Sequence, residues 1–269
     1  SITTKAPKLD APEGHLEVTT GNYAMTRLTG ALSSPIGDTV AFRLAGNTHQ
    51  RDGYLQNAAG PDLNDADEWN LIGKVLWEPT ARLSVLLQTS HLRRDMNCCA
   101  PDSVHDPIAE QAIIDRGLPP LGSNPFDQRT AQDTLTPFKQ ESTAASLHVD
   151  YETDWGMLES ITAWDEYDVE SSQETSRSVL DTTFLNQPQS GNSVSQELRF
   201  SASTDHVDYM VGLYYFQQDT REFEGELSAL VGADVGVSTG IFGPQLGLIA
   251  AAGDISFQDN RFATETIAL

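Results

Sequence analysis

The sequence predicts an all-β protein, an antiparallel meander of about ten strands. Two observations carry this prediction: apolar and polar residues alternate along many segments, and tight turns join consecutive segments. In residues 194–203, Leu198 and Phe200 share one parity, and Glu197 and Arg199 share the other. Period-two alternation places the two sets on opposite faces of a β-strand.

The next segment repeats this pattern and predicts a hairpin. Residues 207–217 carry Val211 and Leu213 on one parity. Only the short stretch 204–206 separates them from the preceding strand, and such spacing is typical of a tight β-hairpin.

Further strands are expected at residues 15–20, 25–33, 39–48, 69–77, 83–91, 142–151 and 157–168. Alternation is clear in 39–48, 69–77, 83–91 and 142–151, whereas the pattern of 157–168 is weaker and assigns no lipid face. Residues 1–8 are expected to form a short strand closed by Pro7, and residues 261–269 a last strand. Trp69 and Trp77 stand at the two ends of one face of the segment 69–77, whose length of about nine residues matches a transmembrane β-strand between aromatic belts. A soluble sandwich strand with buried tryptophans would show the same pattern.

The lengths of the connections add a second signal. Short turns at Pro35, Pro79, Asp154 and Asp205 alternate with long connections that begin at residues 51, 93, 169 and 222. Outer-membrane barrels have this asymmetry, with short periplasmic turns and long extracellular loops. A connection as long as 93–140 usually has a function. The Gly- and Ala-rich residues 225–253 are expected to form a helical or folded loop element.

Composition excludes some function classes. Acidic residues outnumber basic ones by 39 to 16, for a net charge of −23. Nucleic acid is a poor partner for such a chain, because its binding depends on Lys and Arg. The acidity either keeps loops soluble or attracts cations. No apolar run reaches the roughly 20 residues of a membrane helix, which leaves a globular protein or a β-barrel.

No catalytic or cofactor-binding motif is present. The sequence lacks a zinc-protease motif, a phosphate loop and a nucleophile elbow. Its six histidines have no ligand spacing, so we expect no enzyme, no cofactor and no metal site. Cys98 and Cys99 are adjacent, which favours a structural loop feature, with or without a strained vicinal disulfide, over a metal or redox site.

The chain as a whole resembles the TonB-dependent outer-membrane receptors. Residues 2–5 (Ile-Thr-Thr-Lys) look like the last strand of that family's plug domain. The remaining motifs look like the early and middle barrel, at residues 51–54 (Arg-Asp-Gly-Tyr), 62–65 (Asp-Leu-Asn-Asp), 77–79 (Trp-Glu-Pro), 195–200 (Ser-Gln-Glu-Leu-Arg-Phe) and 212–216 (Gly-Leu-Tyr-Tyr-Phe).

This resemblance implies a barrel of about 22 strands with a plugged lumen. Residues 1–8 would be the last strand of the plug, and residues 9–269 the N-terminal portion of a truncated barrel. Both ends of the sequence suggest a fragment, so we expect a partial, unclosed transmembrane β-barrel with long extracellular loops.

The function that the resemblance implies is active transport across a Gram-negative outer membrane. The substrate would be a bulky nutrient such as a ferric siderophore. The partners would be outer-membrane lipid and a TonB-type energy-coupling protein, which binds through a segment absent from this sequence. A passive porin is one alternative. A β-rich surface adhesin is another, and it predicts that Trp69 and Trp77 are buried within the chain.

Parity supplies candidate site residues. Five polar side chains should face the lumen if their apolar neighbours face lipid: Arg43, Lys74, His148, Glu197 and Arg199. Each would either meet the substrate or form polar contacts with the plug and wall. The candidates in extracellular loops are Arg51, Asp52, Cys98 and Cys99.

Overall fold

The structure is a computed structural model. It describes residues 4–98, 107–122, 124, 126–174, 179, 183–224, 228–229 and 258–268. Its strands are β1 (Glu13–Thr20), β2 (Thr26–Ile36), β3 (Val40–Arg51), β4 (Gln56–Asn57), β5 (Ala66–Thr80), β6 (Leu83–Asn97), β7 (Arg129–Thr130), β8 (Pro137–Thr153), β9 (Gly156–Glu174), β10 (Thr183–Asn186), β11 (Gln189–Ser203), β12 (Asp208–Glu224), β13 (Ser228–Ala229) and β14 (Gln258–Ala268). One helix, α1, spans Pro107–Asp115.

One large antiparallel sheet dominates the molecule. Its main path runs β1-β2-β3-β5-β6-β8-β9-β11-β12-β14, with each strand beside its predecessor. The short strand β10 pairs with β9 and β13 off this path. The sheet is open, because β1 and β14 end the path. Among the described residues, no helix has the length and apolar character needed to cross a membrane.

Connection length separates the two edges of the sheet, as the sequence predicts. The short edge carries the turns at residues 37–39, 81–82, 154–155 and 204–207. The long connections at residues 52–65, 98–136, 175–188 and 225–257 leave from the opposite, long-loop edge. Consecutive connections of a meander lie at opposite edges, so the turn between β1 and β2, residues 21–25, also lies at the long-loop edge although it is short.

The register gives the sheet an apolar face and a polar face. Phe42 lies opposite Val75, and the adjacent pair Arg43 and Lys74 points to the other side. Directly opposed residues of an antiparallel pair share a face. The apolar face is therefore the side of Phe42 and Val75, and the polar face is the side of Arg43 and Lys74.

The apolar face is exposed. Trp69 and Trp77, which a sandwich would bury, keep 36% and 46% of their surface exposed in the described chain. The buried apolar residues, apart from Pro7, Ala31 and Ala41, all lie in the long connections. The described chain therefore provides no second layer against the apolar face, contrary to what the adhesin alternative predicts.

The buried apolar residues of the long connections form two small clusters beyond the long-loop edge. Ile113, Leu121, Ala131 and Val179 pack together, and Leu55 packs against Leu63. The short strands β4 and β7 pair in parallel beside them. We call the described residues of the ranges 52–65 and 107–136 the rim unit.

Two expectations about strands need correction. Residues 4–8 form no strand, because Pro7 lacks an N–H and no described strand pairs with this segment; residues 1–3 lie outside the described part. Several strands also extend beyond their predicted ends: β6 continues to Asn97 and β9 to Glu174. Of residues 225–253, only β13 is described, so the expected helical or folded element lies outside the described residues.

Candidate functional site: the polar face of the sheet

The five residues expected to face a lumen all lie on the polar face. Arg43 and Lys74 are direct partners on β3 and β5. Glu197 and Arg199 are neighbours on β11, where the Arg199 Nε donates to Glu197 Oε1 at 2.6 Å. His148 is separated from Glu197 by Ile161 of β9, so two strand spacings of about 4.8 Å each lie between them. The structure therefore brings together two pairs and leaves His148 apart.

The N-terminal segment crosses the polar face over Lys74. Lys74 Nζ donates to the carbonyl oxygen of Thr4 at 3.0 Å and to its hydroxyl at 2.6 Å. The Thr4 hydroxyl lies 3.4 Å from Gln88 Oε1 on β6. Pro7 is buried, and the Lys8 N–H donates to Ser33 Oγ at 3.4 Å. We call residues 4–8 the strap.

The carboxylate of Glu13 binds the strap to the polar face of the sheet through ion pairs. Glu13, the first residue of β1, contacts Lys5 Nζ at 2.9 Å and Lys8 Nζ at 3.3 Å. It also contacts Arg43 Nη1 at 3.1 Å. Glu13 thus joins two strap lysines to an arginine of the sheet. Together with Lys74, these contacts bury part of the polar face beneath the strap.

A second polar network lies nearer the long-loop edge, and the sequence analysis did not identify it. His49, Glu68, Arg94 and Gln140 are successive partners across four strands. Glu68 lies 3.1 Å from His49 Nδ1 and accepts from Arg94 Nε at 3.0 Å, while Arg94 Nη1 donates to Gln140 at 3.2 Å. The signal for this row was available, because the parity that selects Lys74 also selects Glu68.

A pocket opens beside this network. Its volume is about 490 Å³, and Asn70, Arg94, Gln140 and Asp165 contribute to its lining. Amide, guanidinium and carboxylate groups give the pocket both hydrogen-bond donors and acceptors. The pocket can therefore hold a polar molecule.

The loop candidates have structural roles. Arg51 is the last residue of β3 and does not lie in the loop; its Nη2 donates to the Asn64 carbonyl at 2.7 Å, and its guanidinium stacks on Tyr54 at 5.0 Å. Arg51 can make both contacts because it ends the strand and its side chain reaches back over the loop. The Asp52 N–H donates to the Tyr23 carbonyl at 2.8 Å.

Cys98 directly follows Asn97, the last residue of β6. Cys98 is disulfide-bonded, and its carbonyl oxygen accepts from Thr136 Oγ1 at 3.1 Å. Cys99 lies outside the described residues. In the part of the chain that is described, His, Cys, Asp and Glu side chains form no group of three or more that could hold a metal ion.

Hydrogen bonds of the Asn57 side chain join the two long connections of the rim unit. Its Nδ2 donates to the carbonyl oxygens of Gln132 at 2.7 Å and Pro61 at 3.2 Å. Its Oδ1 accepts the N–H of Gln132 at 2.9 Å and of Ala59 at 3.2 Å. A buried amide with all its groups paired fixes the loops in one arrangement.

The fold is similar to that of solved uptake receptors. The ferric yersiniabactin uptake receptor FyuA from Yersinia pestis matches 84% of this chain at 16% identity, with a TM-score of 0.64. The siderophore receptor PiuA from Acinetobacter baumannii matches 97% at 14% identity, with a TM-score of 0.64. The open form of the ferric-catecholate import receptor Fiu from E. coli K12 matches 84% at 14% identity, with a TM-score of 0.59.

The matched region is a minor part of each receptor. It covers 33% of FyuA, 38% of PiuA and 37% of Fiu, so the chain spans about a third of their length. No protein-family model and no curated protein matches the sequence. The expected fold class is confirmed: the chain is an antiparallel meander with the fold of part of a receptor β-barrel, not closed on itself.

Proposed function

We propose that this chain is part of an outer-membrane receptor that actively imports a bulky nutrient such as a ferric siderophore. In this proposal the apolar face contacts lipid and the polar face lines the lumen. The observation that carries it is that the band of apolar residues crosses the sheet at an angle to the hydrogen-bonded rows. The similarity to siderophore receptors supports the choice of substrate class.

A single hydrogen-bonded row shows this oblique course. At the β1 end of the sheet it contains Val18, Leu28 and Trp69, and farther along it contains Glu141 and Asp168. On β12 the apolar residues lie closer to the short edge, at Tyr209, Val211 and Leu213.

A flat membrane explains this shift. Barrel strands tilt by about 35–45° from the barrel axis, so the bilayer crosses hydrogen-bonded rows at that angle. A soluble sheet packed against a second layer has no reason to move its apolar residues in this way. Trp77, Tyr151 and Tyr209 on the apolar face supply an aromatic belt toward the short edge, as interfaces favour.

The position of the strap favours a barrel whose lumen holds a plug domain over a barrel with an empty lumen. The strap covers Lys74 on the polar face. The chain that connects a plug domain to the first barrel strand would leave the lumen along this face. We infer that residues 1–8 end a plug and that residues 9–269 belong to the barrel. Five residues then face the lumen: Arg43, Lys74, His148, Glu197 and Arg199. In this proposal a TonB-type protein supplies the energy for transport.

Uptake measurements on the full-length gene product test this proposal. Cells that carry the intact gene, cells from which it is deleted, and cells treated with a protonophore are compared for uptake of ferric siderophores at nanomolar concentration. The proposal predicts uptake that needs both the gene and the proton gradient. Gene-dependent uptake that survives the protonophore would instead identify a passive porin, and a product that stays soluble without detergent would exclude both.

A further inference from the structure

We propose that Arg43 and Lys74 form an oxyanion-binding site on the polar face, and that the strap masks it. The two residues are direct partners on adjacent strands. Like charges directly opposite each other destabilise a sheet. An anion bound between them would remove this repulsion.

Lys74 has no anionic partner in the described chain. It is 5% exposed, and within the described ranges its ammonium donates to the two oxygens of Thr4 and to no other group. A lysine buried this deeply is usually paired with a carboxylate. Here the strap supplies neutral oxygens instead, so the ammonium loses both acceptors when the strap leaves.

Arg43 keeps uncommitted donors. Its Nη1 contacts Glu13, while Nε and Nη2 have no partner among the described residues. A guanidinium has five N–H donors in a fixed plane and holds carboxylate or phosphate with two parallel hydrogen bonds. Arg43 can therefore bind an oxyanion without releasing Glu13.

The balance of charge also favours an anion. The strap and the wall beneath it carry the cations Lys5, Lys8, Arg43 and Lys74, and Glu13 is the one carboxylate that contacts any of them in the described chain. The whole chain has a net charge of −23, so this is a local reversal of sign. When the strap leaves, two cations and one carboxylate remain.

The ligand is therefore a carboxylate, sulfate or phosphate group on a small molecule that reaches the polar face after the strap has moved. Thr4 keeps the ammonium occupied until then. This inference depends only on the contacts of the strap with Glu13 and Lys74 and on the contact of Arg43 with Glu13. It goes beyond the proposed function, because it does not depend on which nutrient is imported or how transport is energised.

Chemical labelling of Lys74 in the full-length protein tests the inference. Pyridoxal 5′-phosphate with borohydride reduction labels accessible lysines, and mass spectrometry of the peptide containing Lys74 measures the rate. In the native protein Lys74 should resist labelling. Replacement of residues 4–8 by a Gly-Ser segment of equal length should expose it.

Competing anions then test binding. Sulfate, inorganic phosphate and acetate are added separately to the strap-replaced protein. An anion at ten times its dissociation constant should slow labelling of Lys74 about tenfold, because only the free site reacts. The three anions distinguish a sulfate, phosphate or carboxylate preference. Arg43→Gln in the same background should abolish the protection, and Arg93→Gln on the apolar face should keep it.

Two results would overturn the inference: equal labelling of Lys74 with and without the strap, or labelling of the exposed lysine that none of the three anions slows. If the strap-replaced protein lacks the heat-dependent gel mobility of a folded barrel, Thr4→Gly, Lys5→Ser and Lys8→Ser are combined. This second variant keeps Pro7 in place, removes the strap's charges and one of the two acceptors of Lys74, and is judged by the same two results.

Discussion

Asn57 and Gln132 stand 75 residues apart and hold each other by a reciprocal pair of hydrogen bonds. The Asn57 amide donates to the Gln132 carbonyl at 2.7 Å, and its oxygen accepts the Gln132 N–H at 2.9 Å. This pair joins the connections after β3 and after β6. The rim unit is thus folded in one preferred arrangement.

Replacing the amide should open this unit. Asn57→Ala leaves the buried N–H and carbonyl of Gln132 without these partners, at about 1–3 kcal/mol for each unpaired group. We expect hydrogen exchange in residues 126–136 to accelerate at least about tenfold, which corresponds to 1.4 kcal/mol. Asn22→Ala, in the turn between β1 and β2, is the matched control. Unchanged exchange in residues 126–136 would show that the pair does not stabilise the unit.

Gly53 should not tolerate a side chain. A Cβ at this position would lie 2.6 Å from the carbonyl atoms of Asp62 and 2.7 Å from the Leu63 oxygen, all of them main-chain atoms. Gly53→Ala should therefore displace the loop at a cost of about 1–3 kcal/mol. Hydrogen exchange of residues 52–65 measures the loss.

Gly73→Ala is the control for this substitution. Its Cβ would meet only Thr89 Oγ1, at 3.4 Å, which is an ordinary contact. We expect exchange in β5 and β6 to stay unchanged. Equal effects of the two substitutions would mean that the close approach at Gly53 is not a constraint.

The two faces of β5 should respond differently to a charge. Val75→Lys places an ammonium on the proposed lipid face near the middle of the strand, which costs about 2–4 kcal/mol in outer-membrane barrels. Asn70→Lys, on the polar face of the same strand, should cost little. Urea unfolding of the full-length protein in lipid vesicles gives both free energies. Similar losses for both would argue against lipid on the Val75 side.

Glu13 should control how tightly the strap is held. Glu13→Gln removes the carboxylate that contacts Lys5, Lys8 and Arg43. Exposed ion pairs are individually weak, so the loss of all three should let trypsin cut after the strap lysines roughly fivefold faster. Glu17→Gln, on the same strand and face, forms no ion pair in the described chain and is the control. Equal cleavage of the two variants would mean that Glu13 does not hold the strap.

The alternation of residues was enough to predict the faces of the sheet. Phe42 and Val75 on one side, and Arg43 and Lys74 on the other, follow from parity because a strand has a period of two. The hairpin of β11 and β12 was predicted for the same reason. The ends of the strands were harder to predict. Toward the end of β6 the apolar face carries the charged residues Arg93 and Asp95, so the alternation disappears while the strand continues.

The rim unit and the strap were beyond sequence reasoning. The contact of Asn57 with Gln132 depends on how two irregular connections fold against each other, and no periodicity marks it. The strap residues were expected in a strand, but Thr4 and Lys8 bind side chains of the wall instead. Side-chain contacts of this kind depend on the assembled sheet.

Spin labels at Leu28→Cys, Ser190→Cys and Val211→Cys test the central claim most directly, with the full-length protein in lipid vesicles. Leu28 and Ser190 share one hydrogen-bonded row of the apolar face, while Val211 lies on a row closer to the short edge. If a membrane crosses the sheet obliquely, labels at 28 and 211 collide mainly with oxygen dissolved in lipid, and the label at 190 with a water-soluble nickel complex. Equal lipid access at 28 and 190, or water access at both 28 and 211, would contradict this account.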